Sequence, residues 1–282
     1  MRAATALFAL HVAVALFGFA ALFGKWIALA PVELVLGRTI VAALALGVLA
    51  RGRSQRVARP GLVAVANGAL LALHWVAFFA AVQVASVAIA LLGFASFPVF
   101  VLLLERTLHG RRATALELLA ATLVVLGLAM LVPEFTWASR NVQGLVYGIG
   151  AGLTFALLAL RNRELVSRIG ATPLALWQNA SAALWLLPVV ALTGDATLPT
   201  THDIVLILLL GVFCTALAHT LFIASMRRVT AHTASVVSVL EPVYGIVWAA
   251  LLLGEWPDAR TVAGGALIIG AAVIASARSG AG

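Results

Sequence analysis

SVLEPVYGIVWAALLLGEW, residues 238–256, sets a glutamate against a proline inside a run that is otherwise apolar. Charge is scarce throughout: of 282 residues, 63% are hydrophobic and 10% charged, against about 25% charged in an ordinary soluble domain. Runs of this kind recur at roughly 20 residues, the length of a helix across the hydrocarbon core. Ten are predicted, over 3–24, 32–50, 61–83, 85–104, 114–132, 143–160, 171–193, 204–226, 231–253 and 261–277. The chain therefore reads as an all-α membrane protein, with gaps too short for a second soluble domain. Asp203 and Asp258 precede the eighth and tenth runs, where a carboxylate caps a starting helix. The first run exceeds the roughly 7–15 apolar residues of a signal-peptide core and ends on Lys25 and Trp26, so it reads as a retained helix.

The net charge of +8 raises nucleic acid as a partner, and the placement of the charges removes it. With the N-terminus inside, fourteen arginines from Arg2 to Arg278 fall on the cytoplasmic side, and only Lys25, Arg140 and Arg260 on the other. That is a positive-inside bias, which predicts an inner-membrane protein with both termini cytoplasmic. Glu33, Glu134, Asp195, Asp203, Glu255 and Asp258, with Trp26, Trp137 and Trp256, collect on the outer side. The single cysteine, Cys214, allows no internal disulfide and no cysteine-based metal site, and reads as a small buried apolar residue.

Sliding the sequence against itself by 144 positions sets Pro98 on Pro242, FPVFVLLL on EPVYGIVW, and LLAATLVV (118–125) on VAGGALII (262–269). Earlier helices align at other offsets: GFAALFGK (18–25) on TFALLALR (154–161), and Arg38 on Gln178. Each half then has five helices, and an odd number inverts the second half. The expected organisation is ten transmembrane helices in two inverted repeats, 1–135 and 143–282. Inverted repeats belong to secondary transporters, with substrate bound at the repeat interface near the midplane. Pro98 and Pro242 interrupt corresponding helices, and paired interruptions point to the binding site and its gates.

LEPVYGIVWAALLLGE (240–255) followed by GGALIIGAAVIAS (264–276) resembles the end of a drug/metabolite transporter of the EamA type. LLGFASFPVFVLLLER (91–106) followed by LELLAATLVVLGLAML (116–131) resembles the same signature more weakly, without a counterpart to Gly254–Glu255. The resemblance covers essentially the whole chain. It implies two five-helix halves, peripheral fifth and tenth helices, and export of small metabolites, chiefly amino acids.

Glu241 stands ten residues into its run, about 15 Å deep at 1.5 Å per residue. An ionisable group there needs a cavity or a partner. Ser238, Glu241, Gly245 and Trp248 share one helical face, bordered by Tyr244. This stripe suits an ammonium group and an apolar cover, and Glu241 is the candidate for a coupling proton. Equally, the carboxyl could be satisfied by backbone freed at Pro242. The symmetric positions in the first half are Phe94 and Phe97. Thr215, His219 and Phe222 share a side of the eighth helix, matched by Leu71, Trp75 and Phe78 of the third, with His74 beside Trp75. Arg38 either snorkels or faces the cavity. Gln178 is polar at similar depth.

The expectation is a secondary transporter exporting a small molecule by alternating access, with no cofactor and no metal. Alternatives are a drug or nucleotide-sugar carrier, or a membrane-embedded enzyme or accessory subunit. No phosphate loop, HExxH site or Gly-x-Ser-x-Gly elbow is present, and the buried ionisable residues are dispersed.

Overall fold

The computed structural model describes residues 3–52, 62–109, 114–132, 136–193, 198–229 and 231–276. Of the charges behind the orientation argument, Arg2, Arg53, Arg56, Arg59, Arg111, Arg112, Arg278, Glu134 and Asp195 lie outside the described residues. Regular structure among the described residues is entirely helical. The first three runs are α1 (Ala3–Trp26), α2 (Pro31–Gly52) and α3 (Leu62–Val84). The fourth divides into α4 (Val87–Phe94) and α5 (Phe97–His109), and the fifth is α6 (Ala115–Met130). α7 (Arg140–Ile169) extends beyond the predicted sixth run and turns at Gly170, whose φ of 87° suits glycine, into α8 (Ala171–Thr193). The eighth run is α9 (Thr201–Gly211), a π-helical turn over Val212–Leu217, and α10 (Ala218–Ser225). The ninth divides into α11 (Ala231–Ser238) and α12 (Leu240–Leu253), and α13 (Ala259–Ser276) follows.

Among the described residues, seven stretches are long and apolar enough to cross a membrane: Ala4–Trp26, Pro31–Arg51, Val65–Val84, Val87–Thr107, Arg140–Ile169, Ala171–Thr193 and Thr201–Ser225. Three shorter apolar helices accompany them, Leu118–Met130, Leu240–Leu253 and Ala259–Ala271.

Both prolines that the sequence singles out lie in a first turn. Pro98 is the second residue of α5 and Pro242 the third of α12. A helix's first amides have no intrahelical acceptor, so proline there loses no bond, while the chain just before it is turned away from helix. The two interruptions match to the residue: α4 and α11 each span eight residues and begin and end 144 positions apart. Other ends are capped locally. Ser86 Oγ accepts the Ile89 N–H at 3.2 Å, and Thr200 and Asp203 form a reciprocal capping box on α9. Asp258 Oδ1 accepts the Thr261 N–H at 2.7 Å ahead of α13, and Thr261's side chain and backbone hold that carboxyl below its usual range.

Helix packing comes in matched pairs. α3 packs on α7 and α1 on α10; α4 and α5 pack on α7, and α11 and α12 on α1; α2 meets α8, and α6 meets α13. Bare backbone permits two of the closest crossings. A Cβ on Gly18 would stand 2.8 Å from the Glu241 carbonyl oxygen, and one on Gly152 would stand 3.0 Å from that of Phe94. α1 therefore seats on the α11–α12 break as α7 seats on the α4–α5 break. α6 and α13 cross through Gly127 and Gly264 and bury Val124, Leu128 and Ile268 in a second cluster shared with Ile89 and Leu92 of α4 and Val99 of α5.

Ion pairs hold opposite ends of the α4–α5 rod. At its N-terminal end Lys25 Nζ lies 3.5 Å from Glu255 Oε1 and donates to the Ala85 carbonyl at 2.6 Å, while Glu255 Oε2 accepts the Val87 N–H at 2.9 Å. Toward its C-terminal end, Arg163 Nη1 lies 3.8 Å from Glu105 Oε1.

Candidate functional site

A narrow cavity of about 20 Å³, room for one or two waters, opens between α1, α2, α3, α4, α7, α10 and α12. Its polar lining is Arg38, His74, His219 and Glu241. Its walls are Trp75 and Phe78 of α3, Phe94 of α4, Phe155 of α7, and Phe17 and Ala20 of α1.

Arg38 is held in place by the irregular stretch before α10. A π turn displaces the regular hydrogen-bond ladder. Here Thr215 Oγ1 donates to the Leu210 carbonyl at 2.8 Å and accepts from Arg38 Nε at 2.9 Å. Arg38 Nη2 points at the Cys214 carbonyl at 3.4 Å. The guanidinium carbon stands 4.0 Å over the centroid of the Trp75 ring, a cation–π contact of about 2 kcal/mol where water is excluded. The side chain is 2% exposed, so of the two sequence readings the structure has the cavity, not the snorkel.

Glu241 faces the same cavity from the first turn of α12 and is 4% exposed. Its Oε2 has no hydrogen-bond partner among the described residues, and no ion pair joins it to Arg38. The backbone freed at Pro242 does not satisfy that oxygen. A cation and a carboxyl thus line one aromatic-walled space without neutralising each other.

Histidines complete the polar set. His219 Nε2 meets Gln178 Oε1 at 2.9 Å, and Gln178 Nε2 donates to Asn162 Oδ1. His74 Nδ1 meets the Ala151 carbonyl at 2.9 Å, and its ring stacks on Phe155 with centroids 4.8 Å apart.

Of the residues proposed from sequence, Glu241, Trp75, Phe78, Phe94, His219 and Arg38 meet at the cavity. Phe97 and Gln178 stand behind that lining: Phe97 stacks on Phe94 with centroids 5.9 Å apart, and Gln178 buttresses His219. Ser238 is buried at the end of α11 with an unpartnered hydroxyl. Tyr244 is half-buried against α1, and Trp248, 39% exposed, rests its edge on Phe19. The bare backbone at Gly245 is covered by Gly18 and Leu91, so no ligand approaches the helix there. Pro98 and Pro242 are buried beside the two breaks. Phe17, Ala20 and Phe155 did not emerge from the sequence as lining residues. The one signal was the repeat, which sets Phe155 on Phe19, two residues from Phe17. Among the described residues no group of three or more His, Cys, Asp or Glu is placed to hold a metal ion.

Comparison with known proteins follows the same outline. The model of the EamA-like transporter family matches residues 4–132 and 142–277. The pseudopaline exporter CntI of Pseudomonas aeruginosa is 28% identical over 250 residues, covering 86% of this chain and 85% of the exporter. The transporter YxxF of Bacillus subtilis is 24% identical over 263 residues, covering 90% of this chain and 84% of its own. A solved crystal structure superposes over 100% of both chains with a TM-score of 0.73 at 17% identity, a likeness of fold alone.

Proposed function

Because the chain belongs to the EamA-like transporter family, whose matched members are named as transporters and not as enzymes, we propose that it exports amino acids across the inner membrane by alternating access. The observation that carries the substrate class is the pairing of Arg38 and Glu241 across one cavity without an ion pair between them. A buried cation and a buried carboxyl are each costly unless paired. An amino acid meets both, its carboxylate on Arg38 and its ammonium on Glu241, once the transport cycle widens a cavity that here has room for one or two waters. The phenyl and indole walls suit an apolar side chain.

The architecture we propose is ten transmembrane helices in two inverted five-helix repeats, 1–135 and 143–282, with both termini cytoplasmic. Breaks 144 residues apart support it, as do the matched packing of α3–α7 with α1–α10 and the family model's two separate matches. The ion pairs support the transport cycle. Lys25–Glu255 joins the end of the first helix to that of the ninth, and Arg163–Glu105, between residues that the alignment does not match to them, joins the sixth helix to the fourth. In this reading each pair latches one end of the bundle, and opening either end breaks one pair. Export as the direction draws on the pseudopaline exporter, and Glu241 is the proposed carrier of a coupling proton.

The test is thermal stabilisation of purified protein by each of the twenty common amino acids, followed by liposome counterflow of those that bind. A ligand at 100 times its Kd raises apparent stability by about 2.7 kcal/mol. No stabilisation by any amino acid, with stabilisation by a nucleotide sugar or a cationic drug instead, refutes the substrate class and leaves the fold standing.

A further inference from the structure

His74 is 5% exposed on α3, and its ring orientation is fixed. Phe155 stacks on one face at 4.8 Å, and Phe94 lies 5.7 Å away, centroid to centroid. Nδ1 sits 2.9 Å from the Ala151 carbonyl, which also accepts from Thr154 Oγ1 at 3.0 Å. A carbonyl oxygen has no hydrogen to give, so Nδ1 carries the proton of that bond. In the neutral ring Nε2 is then an acceptor, and it has no partner among the described residues.

The other polar groups at the cavity define what this acceptor meets. Arg38 only donates, and it spends N–H groups on Thr215 and Cys214. His219 is tied to Gln178 through Nε2. Glu241 offers carboxyl oxygens. A ligand ammonium has three N–H groups, more than one carboxyl turned to it from a single side will take. From the locked tautomer we infer that His74 is a specificity-determining residue whose Nε2 accepts an N–H of the substrate's ammonium. The inference rests on the amino-acid reading of this cavity and narrows it to substrates whose cation carries hydrogen. An aromatic box alone would welcome a quaternary ammonium through cation–π attraction. A trimethylammonium brings charge but no donor, and leaves Nε2 without a partner.

The experiment measures binding of L-alanine, L-leucine and L-phenylalanine, each beside its N,N,N-trimethyl derivative. It uses purified full-length protein in nanodiscs. Wild type should bind the parent amino acids at least about tenfold more tightly than the derivatives, the lower bound for a hydrogen bond to a charged group. His74→Asn keeps an amide N–H for Ala151 and deletes the acceptor at the Nε2 position. It should lose about tenfold for the parents and little for the derivatives, and so narrow the discrimination by about tenfold to what Glu241 alone supplies. His74→Gln, whose Oε1 reaches the Nε2 position, should recover part of the loss. Equal binding of parent and derivative by wild type overturns the role of His74 without touching the variants. So does undiminished discrimination in a folded His74→Asn. Failure of wild type to bind any of the three amino acids removes the amino-acid reading and this inference together.

Discussion

Glu241→Gln is the substitution that most sharply divides function from structure. It preserves the shape of the side chain and one acceptor oxygen, and it removes the charge and the proton. The native carboxyl is buried, its Oε2 is unpartnered, and its nearest cation is across the cavity, outside ion-pair range. Among the described residues, no other side chain therefore depends on its charge. The variant should melt no lower than wild type, and a degree or two higher is expected, because a lone buried acid is a cost that function retains. Binding should behave in the opposite sense. Losing a hydrogen bond to a charged group costs about 1.5–3 kcal/mol, or roughly 10- to 150-fold in affinity for the ammonium end. The assay is paired: melting with and without a saturating amino acid, then liposome transport across a pH series at matched protein content. The unliganded melting point should hold, the ligand-induced rise should shrink, and pH-driven accumulation should disappear. A variant that melts several degrees lower yet binds and accumulates like wild type would refute the reasoning. Glu241 would then be a packing residue.

Other substitutions probe the crossings, the ends and a cap. Gly18→Ala drives a methyl to within 2.8 Å of the Glu241 carbonyl, forcing α1 off the α12 break. It should cost about 1–3 kcal/mol in thermal stability. Gly150→Ala meets nothing within 4 Å and should be neutral, or stabilising by up to about 1 kcal/mol. Glu255→Gln should raise labelling of the sole cysteine, Cys214, by an impermeant maleimide from outside, and Glu105→Gln from inside. Pairs this exposed are worth about 1 kcal/mol or less, so the rate should change by about fivefold at most, and an unchanged rate from either side counts against that latch. The Asp258 carboxyl is held low by Thr261, so its contribution is present above the unfolded value of about 3.9 and lost as pH falls through the lower folded value. Asp258→Asn should remove that acid-side loss yet leave neutral-pH melting nearly unmoved, since asparagine caps as well.

How far the sequence reaches depends on the kind of signal each feature leaves. The helical runs follow from a long-range rule, an apolar length matched to the bilayer, and their described residues are helical apart from the two breaks and some run ends. The breaks were foreshadowed by proline, although proline marks the start of the second half-helix and not the middle of a bent one. Cavity residues were found where chemistry is rare: a charge at depth drew attention to Arg38 and Glu241, and a lone imidazole to His219. Phe17 and Phe155 were missed because α1 and the uncharged 144–160 stretch of α7 are apolar on every side, so periodicity does not tell the face toward the cavity from the face toward lipid. The same ambiguity put Tyr244 and Trp248 on a shared stripe with Glu241. In the structure, α1 covers the far end of that stripe through Gly18 and Phe19. The π turn that grips Arg38 left no trace, because VFCTAL carries neither proline nor glycine. Its visible tie is tertiary: Arg38 uses the Thr215 hydroxyl and the Cys214 carbonyl, so turn and side chain hold each other in place.

That dependence bears on how the proposed two-repeat scaffold would acquire an orientation for its ligand. Its two halves present matching breaks, and α7 seats on one as α1 seats on the other. Two identical sites would bind a ligand equally well in either direction. The residues filling the scaffold are unlike. One break supplies Phe94 and Phe97; the other supplies Ser238 and Glu241. The second helix carries Arg38 where its repeat mate carries Gln178, and α3 runs unbroken where the eighth run holds a π turn. Cation and carboxyl therefore sit at fixed, different places in one aromatic enclosure. A zwitterion in that enclosure has one favourable heading, because reversing it sets ammonium on guanidinium and carboxylate on carboxylate. Exchanging the charges by Arg38→Glu with Glu241→Arg would not simply reverse that heading. The Thr215 hydroxyl, the Cys214 carbonyl and the Trp75 face are built for a guanidinium at the second helix alone. The double variant should accordingly lose amino-acid binding, and recovery of wild-type affinity would show that charge alone, without its supports, specifies the site.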